Sequence, residues 1–164
     1  GSLTDNYNPR TGLVSLSQST YGSTSVAALA VAAHEIGHVM QHQEGYIPIK
    51  IRNAILPAAS IGSTAAPYIV ILGAIMGSYN LAMIGVYLFL AMLIFQIVTL
   101  PVELNASGRG LEMLESGGYI SYDQRGDAKA VLKAAAMTYI VAALSTLVSF
   151  LRLLMIANNS RRRN

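Results

Sequence analysis

The feature that most constrains this chain is a long stretch without charged side chains. No Asp, Glu, Lys or Arg occurs between Arg52 and Glu103, a run of fifty residues. The hydrocarbon core of a bilayer is about 30 Å thick and takes roughly 20 helical residues to cross. The run is long enough for two crossings, and the turn formers "GSYN" at 77–80 fall near its midpoint. We expect a transmembrane hairpin with helices over 53–76 and 81–100.

A third apolar segment completes the membrane prediction. Residues 134–151 read "AAAMTYIVAALSTLVSFL" between Lys133 and Arg152 and are long enough to span. Of all residues, 53% are hydrophobic and only 12% are charged, which is unusual for a soluble globule. The first two segments also lack the polar face of a helix in a soluble bundle. The sequence therefore predicts a mainly α, integral membrane protein with about three transmembrane helices.

The net charge of +3 does not indicate nucleic-acid binding. The basic residues lie at the ends of the apolar runs, where they anchor helices at lipid headgroups, and no aromatic residues alternate with them. We therefore expect a lipid bilayer, and no nucleic acid, as a partner. Because the chain has no cysteine, disulfides and thiolate metal sites are excluded. The basic residues in question are Lys50, Arg52, Lys129, Lys133, Arg161, Arg162 and Arg163.

The motif that carries chemistry is "HEIGH" at 34–38, inside an alanine-rich helix predicted over 23–44. His34 and His38 are four residues apart, so both imidazoles leave one helix face and can bind one zinc ion, as in a zincin. Glu35 lies about 100° around the helix, beside the metal. There it can act as general base toward a water that zinc makes acidic. The motif predicts a Zn²⁺ cofactor with Glu35 as the catalytic residue.

Because the motif supplies only two ligands, a third must come from elsewhere. His42 repeats the four-residue step, but His34 and His42 would be about 12 Å apart along a straight helix, too far for one ion to bridge. A metzincin would need a histidine at position 44, where the chain has Glu44. Glu103 is the better candidate, because the membrane hairpin returns it to the side that the zinc helix left. A solvated interfacial role for Glu103 and a substrate or interface contact for His42 remain as alternatives.

Small residues favour a close approach between the helix of Glu103 and the zinc helix. Ala106, Ser107 and Gly110 follow Glu103 at spacings of three, four and seven, which places them on one helix face. Small side chains let two backbones come close, as a carboxylate that reaches a neighbouring helix requires. This helix is predicted over 101–116, and a last helix that includes the third span is predicted over 123–156.

Residues 3–17 predict a short N-terminal β-hairpin before the zinc helix. Turn formers "NPRTG" occupy 8–12, and an alternating segment, "LVSLS", follows at 13–17. This second strand could hold an extended substrate by edge pairing. Because Gly1-Ser2 is typical of a cloning remnant and no Met begins the chain, we expect a further segment to precede it. We interpret 1–164 as one membrane-embedded metallopeptidase domain.

Four segments together resemble the YugP-type family of bacterial membrane zinc metallopeptidases: "YNPRTGLVSLS", "AVAAHEIGHVMQH", "LPVELNASGRGLEML" and "VLKAAAMTYIVAAL". The order of parts also resembles the HtpX-type and CAAX prenyl proteases, which carry E-x-x-A-D where this chain reads "ELNAS" at 103–107. By this resemblance Glu103 is the third zinc ligand, and an N-terminal membrane segment is implied. The aspartate that supports a ligand histidine in those proteases is Ser107 here, a weaker acceptor, and Asn105 is an alternative supporter.

The combined prediction is a zinc-dependent membrane endopeptidase of the gluzincin type, HExxH...E. It would hydrolyse extended or unfolded polypeptides near the membrane by Glu35-assisted attack of water. The alternative is a catalytically silent zinc-binding membrane scaffold, suggested by Ser107, whereas a transporter is disfavoured because the spans hold few polar residues. Candidates that could support a ligand or touch substrate are Asn105, Ser107, Arg109 and His42, and those for stabilising the oxyanion are Arg109, Tyr46, Tyr119 and Tyr122.

The basic residues also predict an orientation for a multi-pass protein of the plasma membrane. With three crossings, the side that carries the active site is the more basic one, and the positive-inside rule then favours a cytoplasmic active site. That side holds Lys50, Arg52, Arg109, Arg125, Lys129 and Lys133, and the other holds Arg152 and the terminal arginines.

Overall fold

A computed structural model describes residues 4–161 of the chain. Leu3, where the predicted hairpin begins, and the terminal Arg162 and Arg163 lie outside the described residues. The prediction of a mainly helical protein with a short hairpin is confirmed. In chain order the elements are β1 Asn6–Asn8, β2 Leu13–Ser15, α1 Gln18–Tyr21, α2 Val26–Gln43, α3 Ile47–Ile75, α4 Tyr79–Ser116 and α5 Arg125–Arg161.

The N-terminal hairpin is shorter than predicted: β2 ends at Ser15, and Ser17, the last residue of the predicted strand, is the N-cap of α1. β1 pairs antiparallel with β2, with Tyr7 opposite Val14. Gly12, at φ 69°, provides the left-handed residue that the tight turn needs. The Asp5 carboxylate then accepts hydrogen bonds from the backbone N–H of Ser17 (2.8 Å) and from its hydroxyl (3.2 Å). These bonds hold residue 17 at the start of α1 and out of the strand.

The zinc helix, α2, begins three residues later than predicted. Ser25 is its N-cap, and the Ser25 hydroxyl accepts a hydrogen bond from the Ala28 backbone N–H at 3.2 Å. Gly45, at φ 67°, follows the helix and lets the chain turn away. The motif residues 34–38 therefore lie in the middle of a regular helix.

In the part of the chain that the structure describes, three helices, α3, α4 and α5, are long and apolar enough to cross a membrane, as predicted. α3 begins at Ile47, six residues before the predicted start, with Pro48 in its first turn, where a missing N–H costs little. α4 contains both the second predicted span and the helix of Glu103, and it continues through Pro101. One helix thus leads directly from the apolar segment to the candidate ligand.

By its internal contacts the chain divides into two compact units. Unit 1 comprises residues 1–49 and 100–138, and unit 2 comprises 50–99 and 139–164. The assignment of 1–164 to one functional domain stays a prediction. The core of unit 1 joins residues from α2, α4, the loop that follows α4 and the first part of α5, namely Ala30, Ala33, Leu114, Ile120, Ala128 and Leu132.

Unit 2 is an apolar assembly packed through small residues. A methyl group at Gly62 would overlap the Leu88 carbonyl, and one at Gly85 would meet Val70. α3 and α4 therefore approach backbone to backbone, as small residues allow in membrane helices. Gly77, at φ 67°, serves the turn between them. The core of unit 2 consists of Ala66, Val70, Ala82, Val86, Phe89, Leu153 and Ala157.

Candidate metal centre

Two glycines bring α2 and α4 into direct backbone contact within unit 1. A Cβ atom at Gly37 would overlap the backbone of Ala106, and one at Gly110 would overlap the carbonyl of Ala33. Ala106 itself is completely buried. The close approach predicted from the small residues that follow Glu103 is confirmed, and it lets short polar side chains of the two helices meet.

Three potential ligand atoms converge at this contact. The Nε2 atom of His34 lies 3.2 Å from Oε2 of Glu103, and the Nε2 atom of His38 lies 3.5 Å from the same oxygen. All three ligand atoms lie within 4.8 Å of one another. Glu103 is only 3% exposed. The structure thus brings together the three residues that were predicted as ligands from positions up to 69 residues apart.

The donor set fits a zinc ion, as does the spacing of each imidazole nitrogen from the carboxylate oxygen. Two imidazole nitrogens and one carboxylate oxygen are ligands that zinc takes at catalytic sites, with a fourth position left open. A tetrahedral ion with bonds of about 2.0 to 2.1 Å holds its ligand atoms about 3.3 Å apart. The two measured nitrogen-to-oxygen separations bracket that value. The cluster of His34, His38 and Glu103 is therefore compatible with a zinc site.

Each histidine is held through its other ring nitrogen. Nδ1 of His34 lies 3.0 Å from the Ser107 hydroxyl, so Ser107 occupies the supporting position that the sequence suggested for it. Nδ1 of His38 lies 3.0 Å from Oε1 of Gln41, a residue that sequence reasoning missed. The signal was present, since Gln41 follows His38 by three residues and shares its helix face. Both Nε2 atoms are thereby directed toward Glu103.

Gln41 is completely buried and connects α2 to α4. Its Nε2 group donates to the Val102 carbonyl (2.8 Å) and to Oδ1 of Asn105 (2.9 Å). Asn105 also accepts from Nε of Arg109 at 2.7 Å. Asn105, predicted as a supporter, therefore contacts the amide of Gln41, and Gln41 in turn contacts the ligand His38.

Arg109 is engaged by neighbours of its own. Its guanidinium forms an ion pair with Glu44 at 2.6 Å and lies over the Tyr46 ring at 5.8 Å. A groove of about 530 Å³ opens beside these groups. The other two oxyanion candidates, Tyr119 and Tyr122, are 64% and 87% exposed. The groove is lined by Met40, Glu44, Asn105, Arg109, Glu112, Met113 and Ser116.

Glu35 lies next to the cluster and is nearly inaccessible to solvent. Burial raises the pKa of its carboxyl group, and the imidazoles of His34 and His38 offset this only in part. The backbone N–H of Tyr7 donates a hydrogen bond to the Glu35 carboxylate. A carboxylate with a raised pKa is a better proton acceptor near neutral pH than an ordinary glutamate.

The pKa of His38 is also shifted. Burial lowers this pKa, but the hydrogen bond and the charge of Glu103 outweigh burial, and the net pKa is raised. Without a metal, His38 therefore holds its proton to a higher pH than an ordinary histidine does. Zinc must displace that proton in order to bind.

His42 is not part of the cluster. Its ring meets the ring of Tyr7 edge to face, with 5.4 Å between the ring centres. Tyr7 belongs to β1, and β1 rather than β2 makes the principal strand contact with α2. The strand nearest to Glu35 is therefore β1, whereas the sequence pointed to residues 13–17.

Comparison with known proteins agrees with this centre. A family model described as "Putative neutral zinc metallopeptidase" matches residues 1–158. The "Putative membrane protease YugP" of Bacillus subtilis (strain 168) is 43% identical over 164 residues, which cover 100% of this chain and 73% of that relative. No solved structure matches the chain. The predicted resemblance and the zinc cofactor are confirmed, and the chain belongs to the neutral zinc metallopeptidase family.

Proposed function

We propose that this chain is a zinc-dependent endopeptidase of the gluzincin type that cleaves extended or unfolded polypeptides near a membrane. One observation carries the proposal: the buried Glu35 carboxylate adjoins a cluster of two imidazole nitrogens and a carboxylate oxygen. The three apolar helices and the name of the relative, a membrane protease, indicate a membrane protein.

The roles follow from the chemistry of each group. His34, His38 and Glu103 would hold the metal, and zinc, when bound, supplies a Lewis acid that acidifies water and polarises the scissile carbonyl. Glu35 accepts a proton from the attacking water as the new C–O bond forms. The same carboxyl group then donates that proton to the amide nitrogen as the C–N bond breaks. Its raised pKa suits both halves of this exchange.

An extended substrate is supported by the position of the hairpin. β1 packs against α2, and its Tyr7 N–H reaches Glu35. A polypeptide that adds to an edge of this two-stranded sheet would lie extended beside α2, with main-chain hydrogen bonds and no required sequence. We therefore propose that the substrate is recognised through its backbone.

The test compares three preparations of the full chain in detergent or vesicles: zinc-loaded protein, chelated protein reloaded with zinc, and zinc-loaded Glu35→Gln. Cleavage of an unfolded, fluorescently labelled polypeptide is followed by mass spectrometry of the products. We expect cleavage by the first two preparations and a loss of about 10²- to 10⁴-fold for Glu35→Gln, the range for general acid–base catalysis. Zinc binding with no cleavage by any preparation, or equal cleavage by all three, would sink the enzyme proposal.

Zinc binding without any cleavage would favour the silent zinc-binding scaffold. The scaffold was suggested because Ser107 stands where related proteases have aspartate. However, the Ser107 hydroxyl lies within hydrogen-bonding distance of His34 Nδ1. The substitution therefore leaves a supporting group in place, and the endopeptidase is the better supported function.

We also propose that the active site faces the cytoplasm, on the basis of the basic residues that flank the spans. The chain has no cysteine, so a single Ser121→Cys substitution at an exposed position provides a unique label site. In vesicles of known orientation, a membrane-impermeant thiol reagent should label this site from the cytoplasmic side. Labelling from the opposite side alone would reverse the orientation.

A further inference from the structure

We infer that Gln41 is a positioning residue that fixes the tautomer of His38, and that Arg109 sets the orientation of Gln41 through Asn105. The inference deepens the proposed function and rests on the zinc-binding role of His38 within it. It depends on a chain of hydrogen bonds in which each partner has only one chemically allowed role.

The chain starts at Arg109, because a guanidinium can donate hydrogen bonds and cannot accept them. Its Nε–H lies 2.7 Å from the side-chain amide of Asn105. The atom in contact must therefore be the amide oxygen, Oδ1. The two ends of an amide are otherwise hard to tell apart, so the arginine supplies the information that orients Asn105.

The orientation passes from Asn105 to Gln41. Oδ1 of Asn105 and the backbone carbonyl of Val102 both lie within 2.9 Å of the same end of the Gln41 amide. Both are acceptors, so that end must be the NH₂ group, and its two hydrogens serve the two acceptors. The other end, Oε1, is then left to face His38.

The last step fixes the histidine. Oε1 of Gln41 can only accept, and it lies 3.0 Å from Nδ1 of His38, so Nδ1 must carry the hydrogen. The other ring nitrogen, Nε2, is then the one with a lone pair for a metal. Because Gln41 is fully buried, water does not compete for these bonds.

Through Gln41, the network also connects the ligand His38 to the backbone next to the ligand Glu103. Val102, whose carbonyl Gln41 binds, immediately precedes Glu103. One amide thus holds the ring of His38 and the backbone beside the third ligand. His34 lacks such a device, since its partner is the Ser107 hydroxyl, which can either donate or accept.

The test uses the full chain in detergent with the substitutions Gln41→Met, Asn105→Leu and Asn105→Asp. Zinc Kd is measured by competition with a chromophoric chelator. The Nδ1-bound hydrogen of His38 is followed by ¹H–¹⁵N NMR of the zinc-loaded protein. We expect Gln41→Met to weaken zinc binding about 10- to 100-fold, the usual cost of losing a group that orients a ligand, and to abolish the slowly exchanging Nδ1–H signal.

The two Asn105 variants separate orientation from packing. Asn105→Leu removes the acceptor, so zinc binding should weaken by a smaller factor. Asn105→Asp retains an oxygen for both Arg109 and Gln41, so zinc affinity should stay within about threefold of wild type, the order of one hydrogen bond. If Gln41→Met fails to fold, the comparison of these two Asn105 variants still tests whether the network orients His38. Glu112→Gln, which changes the groove outside the network, is the control.

A Gln41→Met protein that folds, keeps its Nδ1–H signal and binds zinc within about twofold of wild type would overturn the inference. Equal zinc affinities for Asn105→Leu and Asn105→Asp would overturn the part assigned to Arg109 and Asn105. Absence of zinc binding in the wild-type protein would instead overturn the proposed function. The two failures are therefore distinguishable.

Discussion

Two buried polar residues lie one turn apart on α4 and behave differently. Thr99, in unit 2, donates its hydroxyl hydrogen to the Phe95 carbonyl of its own helix at 2.7 Å. Glu103, in unit 1, contacts His34 and His38 on another helix. A polar group that its own helix satisfies places no demand on the rest of the fold. One that depends on groups far away in sequence requires a built site.

In both units glycine allows two helices to pack closely, but the side chains that meet there are different. In unit 2, Gly62 and Gly85 let α3 and α4 approach around an apolar core. In unit 1, Gly37 and Gly110 let α2 and α4 approach, and the side chains that meet are histidines and a glutamate. Close helix packing is therefore common to both units, and the polar groups that it gathers distinguish the metal centre.

The largest effect should follow from Glu103→Gln compared with Thr99→Val. Loss of groups that merely orient a ligand costs about 10- to 100-fold in metal affinity, so loss of the charged ligand oxygen should cost more than about 100-fold. Thr99→Val should leave zinc affinity unchanged, because the Thr99 hydroxyl donates to a carbonyl of its own helix. Zinc titration against a chelator measures both. Comparable losses in the two variants would contradict the contrast between the units.

The next effect concerns the glycines. Gly37→Ala should force α2 and α4 apart, because the added methyl group overlaps the Ala106 backbone. Gly85→Ala should overpack unit 2 less severely, because the atom nearest to the added methyl group is a side-chain methyl of Val70 at 2.7 Å. Each should destabilise its unit by about 1 to 3 kcal/mol, as overpacking does.

Only Gly37→Ala should also weaken zinc binding, by about 10- to 100-fold, because it displaces ligand-bearing helices. Thermal unfolding in detergent and zinc titration give the two readouts. A loss of zinc affinity in Gly85→Ala equal to that in Gly37→Ala would show that packing in either unit controls the centre.

Much of the contrast between the apolar spans and the metal centre can be predicted from the sequence. The fifty uncharged residues predict the two spans, and the motif at 34–38 with Glu103 predicts the ligands, because periodicity and composition carry these signals. The network of Gln41, Asn105 and Arg109 was not predictable. It depends on which ends of two side-chain amides face each other. The residues that Gln41 contacts on α4 are 61 and 64 positions away in sequence.

The boundary between the second strand and α1 was predicted incorrectly for a similar reason. The short helix α1 is held by the contact of Asp5 with Ser17, twelve residues away, and the alternating pattern at 13–17 gave no sign of it. His42 and Arg109 had the chemistry of site residues, but both contact neighbours outside the cluster of ligand atoms. Chemistry can be recognised in a sequence, whereas the partner that occupies a side chain cannot.

The pH dependence of zinc binding should be the third effect. The metal-free His38 pKa is raised above its ordinary value of 6.5, chiefly by Glu103 acting against burial. Since only the neutral imidazole binds zinc, affinity should fall as pH decreases through this raised pKa, by up to about tenfold per unit for each displaced proton. Chelator competition from about pH 5.5 to about pH 8.5, roughly the range in which histidines titrate, measures how zinc affinity changes with pH. An affinity that stays constant until pH falls below 6.5 would contradict the raised pKa.

The smallest effect should come from Ser107, the residue that departs from the related proteases. Ser107→Ala removes one neutral hydrogen bond to His34, worth about 0.5 to 1.5 kcal/mol, so zinc affinity should fall only about two- to tenfold. Ser107→Asp should raise the affinity above that of Ser107→Ala, because a carboxylate makes a stronger, charge-assisted bond to the imidazole. The neighbouring Gly108→Ala is the matched control and should leave zinc affinity unchanged, because within residues 4–161 the added methyl group meets no atom beyond its own turn of α4 within 4 Å. If Ser107→Ala binds zinc as tightly as wild type, the Ser107 hydroxyl does not support His34. The hydrogen bonds that orient the ligand histidines would then be those around His38.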